Sequence, residues 1–595
     1  MRNEILLKFK DFLTAAFLFA FSFYTAILFF PLIKIPFTNP YQIEGRLTLE
    51  QFNPANDYVR FIFLVLFIPS FFVFLRDLVN KKRWLILRIV FVLVLTFSFF
   101  LSQTTLYTQK AHNIDMFHDG EQIGLGSAVY FFGQKPYQDI FFIHGAFFDP
   151  LIGHYSFKLF GPSIGSFYLA DWLIIIVGFL ALLVLLSIVI KNEVLFYLSA
   201  LFFYGSIETR FLGWDFPVFL YILIAFLIIE KRLNAKLGFF LTSFLSFFTF
   251  YFSVGRGFFL FTANIIFFLI YVFIKEKLWN VRPATLPKIA FKNLPVFISF
   301  ILGTLTAILI GIIYFGIGPF KEFINITFVN IPKITPLLFD YKYPQFSIKQ
   351  LFPYWWPIIV ITANLSFLLY YFIYKRGAIK TYFIFPILTS ILAVIFYKTA
   401  LGRNDPIHIF KVSHLVFLAS FVILDFILKG EQNRTKKIAV YSLMLLFFFL
   451  PFFNYERVIN PPSYAKEDVK TFLSLPKTDD NFWLTKEQKD VRNFILKNTK
   501  EEDYVFVFTN ESAYYYLFKR RNPTRFYTIW FAAPSFYQKE VIEDLNRNKP
   551  KYIIYQSKFW SSNLPDPKEV NEWILENYTQ GTTIGNTEIL KSSKF

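Results

Sequence analysis

Residues 112–163 form a polar segment between two very apolar regions of this 595-residue chain. The segment contains His118-Asp119-Gly120-Glu121, Gly133-Gln134-Lys135-Pro136-Tyr137-Gln138-Asp139, His144-Gly145, Asp149-Pro150 and Phe157-Lys158-Leu159-Phe160-Gly161-Pro162-Ser163. Acids, histidines, glycines and prolines gather here, in a sequence that is 55% hydrophobic and only 17% charged. Four of the six histidines lie in it, namely His112, His118, His144 and His154. His408 and His414 lie in a second polar island, and we expect both islands to form one site on one side of a membrane.

The apolar regions have the composition of a membrane protein. The mean hydropathy is +0.47 and 86 residues are Phe, which is more apolar surface than a soluble interior could absorb. Apolar runs of ~18 or more residues recur from Phe12 to Phe453, the length needed to cross ~30 Å of hydrocarbon. The first run follows Lys8 and Lys10 and has no small-residue cleavage site after it. It therefore predicts a membrane span rather than a signal peptide.

The placement of charge predicts the topology. The net charge is +19, and the basic residues fall mainly in short loops on one side of the predicted spans, opposite the loops that carry motifs. This pattern favours a multi-pass protein of the plasma (inner) membrane over a nucleic-acid-binding protein. It predicts a cytoplasmic N-terminus and an extracytoplasmic C-terminal domain. The absence of cysteine excludes disulfides, thiolate metal ligands and a cysteine nucleophile.

We predict a polytopic α-helical membrane protein with about thirteen transmembrane helices. The predicted transmembrane domain covers residues 1–453 and includes an outer catalytic loop at 104–165. Some of the spans come in short pairs, so re-entrant or broken helices remain an alternative at those positions. The predicted spans lie near 12–33, 59–75, 84–102, 166–190, 194–206, 214–230, 237–253, 258–274, 295–316, 354–375, 381–397, 409–428 and 438–453.

Residues 454–595 predict a small extracytoplasmic α/β domain. Thr485-x-x-Gln488 is typical of a capping box that starts a helix. Apolar runs at 504–508, 526–530 and 552–555 predict strands, with helices at 534–547 and 568–577 between and after them. No glycine-rich turn follows these strands, so nucleotide binding has little support. The domain could be a lid, an acceptor-recognition module or an aid to folding.

Asp119 and Glu121 are the candidate catalytic acids. A carboxylate at a membrane rim can deprotonate a hydroxyl that lies within hydrogen-bond reach, and its environment can adjust its pKa for that task. The alternative is a solvated acidic turn, because most acids in loops are merely hydrated.

The second island supplies candidate anion-binding residues. It contains Arg403, Asp405 and His408, while Arg256 and Arg210 lie in other outer turns. The arginine fork binds phosphate oxygens bidentately and is always charged. A single charge at the membrane boundary is tolerable without function, but three arginines in short turns on the same side favour a site.

Metal binding and hydrolase chemistry have weaker support. The histidines could ligate a divalent metal with Asp119 or Asp405, but no helical His-x-x-x-His pattern is present. The sequence therefore requires no cofactor, and a divalent metal is possible but not supported. A Ser/His/Asp hydrolase has weaker support still.

Two patterns resemble the C-type glycosyltransferases. The first is His118-Asp119-Gly120-Glu121, Gly133-x-x-Pro136-Tyr137-x-Asp139, His144-Gly145, Pro150 and Phe160-Gly161, which resembles their first large outer loop. The likeness is greatest to the bacterial branch related to protein O-mannosyltransferases and lipid A aminoarabinose transferases. The second is Gly402-Arg403-x-Asp405-x-x-His408, which is similar to another recurring pattern of that branch. The resemblance covers most of the chain in architecture but only these two islands in residues.

The resemblance implies an inverting transferase with a polyprenyl-phosphate-linked sugar as donor and a glycan, lipid or protein as acceptor. The family's catalytic base is an acid of this loop, which carries over to Asp119. The family often has adjacent acids, whereas Gly120 separates the two acids here, so Glu121 remains an alternative. In the family the loop usually follows the first span, whereas here two extra spans precede it. The tail lacks the Trp-Trp-Asp-Tyr-Gly motif, which argues against an oligosaccharyltransferase.

The candidate substrate-binding residues follow from these patterns. We expect Arg403 and Arg256 to hold the lipid phosphate, with His408 and Arg210 as secondary contacts. The remaining candidates are Asp405, Tyr137, Asp139 and His144.

Two other classes of protein remain open. An outer-face polysaccharide ligase or polymerase would share the arginines but would use an oligosaccharide-diphosphate donor. A glycan or lipid transporter (flippase) should show internal repeats and polar groups near the bilayer midplane. The polar residues instead gather at one face, and no repeat is visible.

Overall fold

The computed structural model describes most of the chain. The described residues are 2–29, 32–33, 35–36, 53, 55–108, 114–206, 212–332, 351–374, 380–402, 406–429, 433–449, 473–509, 511–556 and 567–592. They belong to two compact units. The first unit comprises Met1–Gln109, Tyr197–Ser206 and Phe452–Leu475, and the second comprises Lys110–Phe196, Ile207–Pro451 and Pro476–Phe595. The predicted domain boundary at 453/454 lies outside the described residues.

Long apolar helices dominate the chain up to residue 449. Short π-helical stretches lie at Phe147–Leu151, Ile326–Asn330, Leu351–Trp355 and Leu445–Phe449. The α-helices are α1 (Arg2–Leu28), α2 (Ala55–Asn80), α3 (Trp84–Thr108), α4 (His118–Phe132), α5 (Ile152–Phe160), α6 (Ile164–Val189), α7 (Glu193–Ser206), α8 (Leu212–Ile229), α9 (Ala235–Phe252), α10 (Val254–Lys275), α11 (Leu286–Phe315), α12 (Ile317–Asn325), α13 (Trp356–Tyr374), α14 (Ile384–Gly402), α15 (Pro406–Leu428) and α16 (Arg434–Met444).

Ten of the helices in the described part of the chain are long and apolar enough to cross a membrane, and they confirm the predicted polytopic helical fold. They are α2, α3, α6, α8, α9, α10, α11, α13, α14 and α15. A helix lies at each predicted span. The count of about thirteen stays a prediction, because the apolar part of α1 (Thr14–Leu28) and α7 are shorter than a full span.

In the first unit, phenylalanine rings and a hydroxyl cluster join the helices. The rings of Phe21 and Phe91 lie 5.3 Å apart between α1 and α3. The hydroxyls of Tyr24, Ser98 and Tyr204 lie 2.5 to 3.1 Å from one another. Buried hydroxyls need such partners, because water cannot reach them.

In the second unit, glycines allow membrane helices to approach closely. A Cβ atom added to Gly178 of α6 would lie 2.3 Å from the carbonyl oxygen of Leu212, at the start of α8. One added to Gly303 of α11 would lie 2.2 Å from the carbonyl oxygen of Phe240 in α9. Small residues at such crossings are the usual means by which helices pack in lipid. The crossing at Gly178 fixes the first turn of α8, which carries Trp214 and Asp215.

The polar segment between α3 and α6 is itself folded. It contains α4, the π-helical stretch Phe147–Leu151 and the short helix α5. α5 buries Gly153 and Phe157 but exposes Tyr155, Leu159 and Phe160, the pattern of an amphipathic helix at a membrane interface.

The chain from Pro476 on, which we call the C-terminal domain, is a small α/β fold. Its helices are α17 (Lys486–Asn498), α18 (Ala513–Phe518), α19 (Ser535–Asn548) and α20 (Lys568–Asn577), and its strands are β1 (Val505–Phe508), β2 (Tyr552–Tyr555), β3 (Tyr578–Ile584) and β4 (Thr587–Ser592). The strand order is β1-β2-β4-β3. The first pair is parallel and the other two pairs are antiparallel.

The sequence predicted much of this domain, with one strand wrong. The capping box at Thr485 and Gln488 is present at the start of α17, and the predicted strands at 504–508 and 552–555 are β1 and β2. The predicted strand at 526–530 is wrong. Residues 529–532 form a 3-10 turn, and Phe526 makes only an isolated bridge to Phe141.

Candidate active site

Both candidate acids lie in the first turn of α4 and are buried. The Asp115 carboxylate accepts hydrogen bonds from the backbone N–H groups of Phe117 and His118, at 3.1 and 2.8 Å. These bonds satisfy donors that a helix start leaves unpaired. Asp119 is only 5% exposed and Glu121 7%. The alternative of a solvated acidic turn is therefore wrong.

Asp119 is held by a tyrosine of the next membrane helix. The Tyr168 hydroxyl on α6 donates a hydrogen bond of 2.9 Å to Asp119 Oδ2. The Tyr168 ring packs on Trp483 of the C-terminal domain, with ring centroids 5.0 Å apart. Both rings are fully buried.

Glu121 faces a different environment, formed with His144 and Asp149. His144 Nδ1 lies 3.6 Å from Glu121 Oε1 and 3.3 Å from Asp149 Oδ1. The His144 backbone N–H donates to Asp149 Oδ2 at 3.0 Å. Gly145 makes this turn possible, because its φ of 137° favours glycine and a Cβ atom would lie 2.4 Å from the carbonyl oxygen of Phe252.

Burial and neighbouring charges in this cluster shift the pKa values of Glu121 and His144. Burial raises the pKa of Glu121, and the neighbouring Asp149 carboxylate raises it further. Burial by itself would lower the pKa of His144, but the Asp149 and Glu121 carboxylates outweigh it and raise that pKa to about 10. The imidazolium is therefore the natural partner of the two acids.

The same three side chains could hold a divalent cation instead. One ligand atom from each of Glu121, His144 and Asp149 lies within 4.8 Å of the other two. Two carboxylates and an imidazole suit ions such as Zn²⁺ or Mn²⁺. Glu121 Oε1 is buried and makes no hydrogen bond to the described residues, so it could accept a cation.

A second cluster lies near the N-terminal ends of three membrane helices. Arg256 Nε, in the first turn of α10, donates to Asp215 Oδ1 of α8 at 2.9 Å. His414 Nε2 of α15 lies 3.2 Å from Asp215 Oδ2. Arg256 and Lys411 both lie over the Trp214 ring, at 5.4 and 5.2 Å from its centroid. Asp215, Arg256, Lys411 and His414 are all buried. Among the described residues, this cluster combines one acid, Asp215, with two basic side chains, Arg256 and Lys411.

Trp214 joins the two clusters. Its ring lies 5.5 Å from the His144 ring and stacks on Phe148 at 4.8 Å. The acidic cluster and the cationic cluster therefore flank one indole ring. The structure thus brings together three predicted residues, Glu121, His144 and Arg256.

Other predicted residues lie elsewhere. Tyr137 packs in an aromatic cluster with Phe142, Phe315 and Phe323, at centroid distances of 4.6 to 5.3 Å. Asp139 accepts a hydrogen bond from the Lys135 backbone N–H, so both residues maintain the loop. His408 is half-buried at the start of α15. Arg403, Asp405 and Arg210 lie outside the described residues.

Sequence reasoning gave no role to Asp149, Trp214, Asp215 and Lys411. Asp149 lies five residues after His144, in the quoted segment. Lys411 lies three residues after His408 and three before His414, so these side chains recur at helical spacing on an otherwise apolar span. That periodicity was the available signal. For Asp215 the signal was an acid at a span end, which needs a cation from another helix.

Comparisons with known proteins give limited similarity. The sequence matches no family model and no protein of a curated set. The fold is similar to two solved structures of ArnT from Cupriavidus metallidurans. The one bound to undecaprenyl phosphate shares 10% identity at a TM-score of 0.45, and the apo form shares 9% at 0.43. Each similarity covers 86% of this chain and 98% of the other. ArnT is a lipid A aminoarabinose transferase.

Proposed function

We propose that this protein is a membrane glycosyltransferase. It moves a sugar from a polyprenyl-phosphate donor to an acceptor hydroxyl at the extracytoplasmic face, with inversion at the anomeric carbon. One observation carries the proposal: buried carboxylates and buried cations flank Trp214 where polar loop and membrane helices meet. Sugar transfer from a lipid phosphate needs a base for the hydroxyl and cations for the departing phosphate, at the boundary of water and lipid.

The chemistry assigns different tasks to the two clusters. A carboxylate takes the proton of the acceptor hydroxyl while its oxygen attacks the anomeric carbon from the face opposite the phosphate. The bond between that carbon and the phosphate oxygen breaks, and its electron pair leaves with the polyprenyl phosphate. Arg256 and Lys411 stabilise the added negative charge. The leaving phosphate needs no proton, so a single carboxylate suffices where a glycosidase needs two.

Asp119 is the proposed base. Glu121 shares its space with His144 and Asp149, so its charge is used within that cluster. Asp119 receives a hydrogen bond from Tyr168 that fixes the direction of its carboxylate. A divalent cation held by Glu121, His144 and Asp149 would supply further positive charge for the phosphate.

The direct test is turnover of purified protein with a panel of radiolabelled polyprenyl-monophosphate sugars. Wild type is compared with Asp119→Asn, Glu121→Gln and Arg403→Ala, with thermal stability measured for each. We expect sugar release that Asp119→Asn abolishes without unfolding. Loss in Glu121→Gln alone would move the base by two residues.

Control donors separate the remaining classes. Turnover only with an oligosaccharide-diphosphate donor would support the ligase or polymerase. If neither donor type is turned over or bound, the transferase proposal fails. Movement of an intact labelled lipid across proteoliposome membranes would then indicate a transporter.

A further inference from the structure

The helix that carries both acids is clamped on two faces. A Cβ atom added to Gly120 would lie 2.9 Å from the Ala513 backbone nitrogen, and one added to Gly124 would lie 2.3 Å from the Ser512 carbonyl oxygen. On another face, one added to Gly126 would lie 2.5 Å from Gly153 Cα of α5. Only glycine permits such approaches without displacement of backbone. α4 is therefore packed between α5 and the start of α18.

Hydrogen bonds fasten the loop to the C-terminal domain on both sides of α4. Before the helix, the Ile114 N–H donates to the Trp483 carbonyl at 3.1 Å. After it, the Phe141 N–H donates to the Arg525 carbonyl at 2.9 Å. At the start of α6, the Ile164 N–H donates to Asp480 Oδ1 at 2.9 Å. These bonds fix the loop at its beginning, middle and end.

A direct path leads from this interface to the proposed base. The Trp483 side chain is fully buried against Tyr168, and Tyr168 is the residue that donates to Asp119. A base must lie within hydrogen-bond reach of its proton, and a misplacement of ~1 Å can cost about 100-fold in rate. The position of the Tyr168 hydroxyl therefore matters for catalysis.

We infer that the C-terminal domain is a fixed brace for the catalytic base. Tyr168 is a positioning residue for Asp119, and Trp483 acts behind it. The domain does not open as a lid during turnover, because α4 and the loop on both sides of it would have to move with it. The catalytic consequence rests on the proposed function, whereas the brace itself is a property of the fold.

The activity test is a double-mutant cycle of Tyr168→Phe and Trp483→Phe. We expect Tyr168→Phe to lower kcat about tenfold or more with the donor KM unchanged, and Trp483→Phe to lower it less. The double variant should match Tyr168→Phe, because Trp483 acts only through the Tyr168 hydroxyl. Multiplied losses in the double variant, or losses that appear in KM, would overturn the proposed path.

The matched control is Tyr527→Phe. The Tyr527 hydroxyl donates to Gln134 Oε1 at 2.6 Å, so this variant also removes one tyrosine hydroxyl between the loop and the C-terminal domain. It lies away from the first turn of α4, and we expect its kcat to stay at the wild-type value. An equal fall in Tyr527→Phe would mean that any damage to this interface slows turnover.

Hydrogen exchange measured by mass spectrometry tests the brace without any substrate. We expect Trp483→Phe to raise amide exchange in residues 118–124 about tenfold relative to Tyr527→Phe, because local opening costs less once packing is lost. Unchanged exchange there would overturn the brace. If exchange rises but no donor is turned over, the brace stands and the proposed function fails.

Discussion

The acidic and cationic clusters differ in what holds them. Glu121, His144 and Asp149 lie on a loop between membrane spans, and the C-terminal domain packs against that loop. Asp215, Arg256 and His414 lie at the ends of long helices that lipid and helix packing already fix. The acid side is therefore held in place by the C-terminal domain, whereas the cation side belongs to the membrane helices. The difference is consistent with the proposed transferase, in which the lipid donor stays in the membrane and the acceptor hydroxyl meets the acid.

The largest expected effect separates turnover from donor binding. Asp119→Asn should lower kcat by about 10³-fold, the scale of general-base catalysis, while the donor stays bound. Single-turnover kinetics with a labelled donor measure the first quantity, and equilibrium binding measures the second. Glu121→Gln is the matched acid variant, two residues away on the same turn. Equal losses in the two variants would mean that the acids act as one unit.

The cation side should show the opposite behaviour. Arg256→Gln should weaken donor binding about 10- to 100-fold, because charged hydrogen bonds to phosphate are worth about 1.5–3 kcal/mol. Arg256→Lys keeps the charge but loses the fork, so we expect an intermediate affinity. Titration of a fluorescent polyprenyl monophosphate measures all three proteins.

Asp215→Asn tests how the arginine is held. It keeps the cation but removes the ion pair of 2.9 Å, so binding should fall less than in Arg256→Gln. A larger loss of donor affinity in Asp215→Asn than in Arg256→Gln would mean that the donor contacts Asp215 rather than Arg256. That result would contradict the assignment.

The sequence pointed to more residues of the acidic cluster than of the cationic cluster. Asp119 and Glu121 were singled out because they lie together in a motif, and Arg256 because it is one of three arginines in short turns predicted on the same side. Lys411 and Asp149 were not singled out, because Lys411 meets Trp214 and Asp149 meets His144 only in the folded chain. The local signal for Lys411 was its helical spacing with His408 and His414. The strand at 526–530 was mispredicted for a similar reason. Its apolar residues face the loop at Phe141, so burial against another segment imitated the pattern of a strand.

Cation binding and protonation compete at His144, which gives the next prediction. When a chelator removes divalent cations, protonated His144 stabilises the folded state, because folding raises its pKa from 6.5 to about 10. This contribution is complete below about pH 6.5. That contribution is lost as pH rises through about 10, because the folded state then loses the extra proton. Thermal unfolding between pH 6 and 10 should therefore show a falling Tm, and His144→Asn should flatten the curve.

A divalent cation should remove the same slope. Bound to Glu121, His144 and Asp149, it would replace the proton and raise Tm by mass action at alkaline pH. Asp149→Asn, which removes a ligand, should abolish this rise. A pH slope that persists at saturating Zn²⁺ or Mn²⁺ would show that the cluster works through the imidazolium alone.

The change expected to affect turnover least lies in the C-terminal domain, behind the contact with α4. Burial raises the pKa of Glu511 to about 7, with a further increase from the nearby Glu487 carboxylate, although the Thr509 hydroxyl bond opposes both. Its stabilising contribution is complete below about pH 4.5 and is lost as pH rises through about 7. Glu511→Gln should therefore raise stability at pH 8 by at most about 3 kcal/mol, at about 1.36 kcal/mol per pKa unit, and change little at pH 4.5. The matched control is Glu502→Gln, because Glu502 is exposed.

Because Glu511 directly precedes the Ser512–Ala513 contact with α4, Glu511→Gln should also lower amide exchange in residues 118–124 at pH 8. A stability gain without that protection would mean that the sheet and the acid-bearing helix open independently.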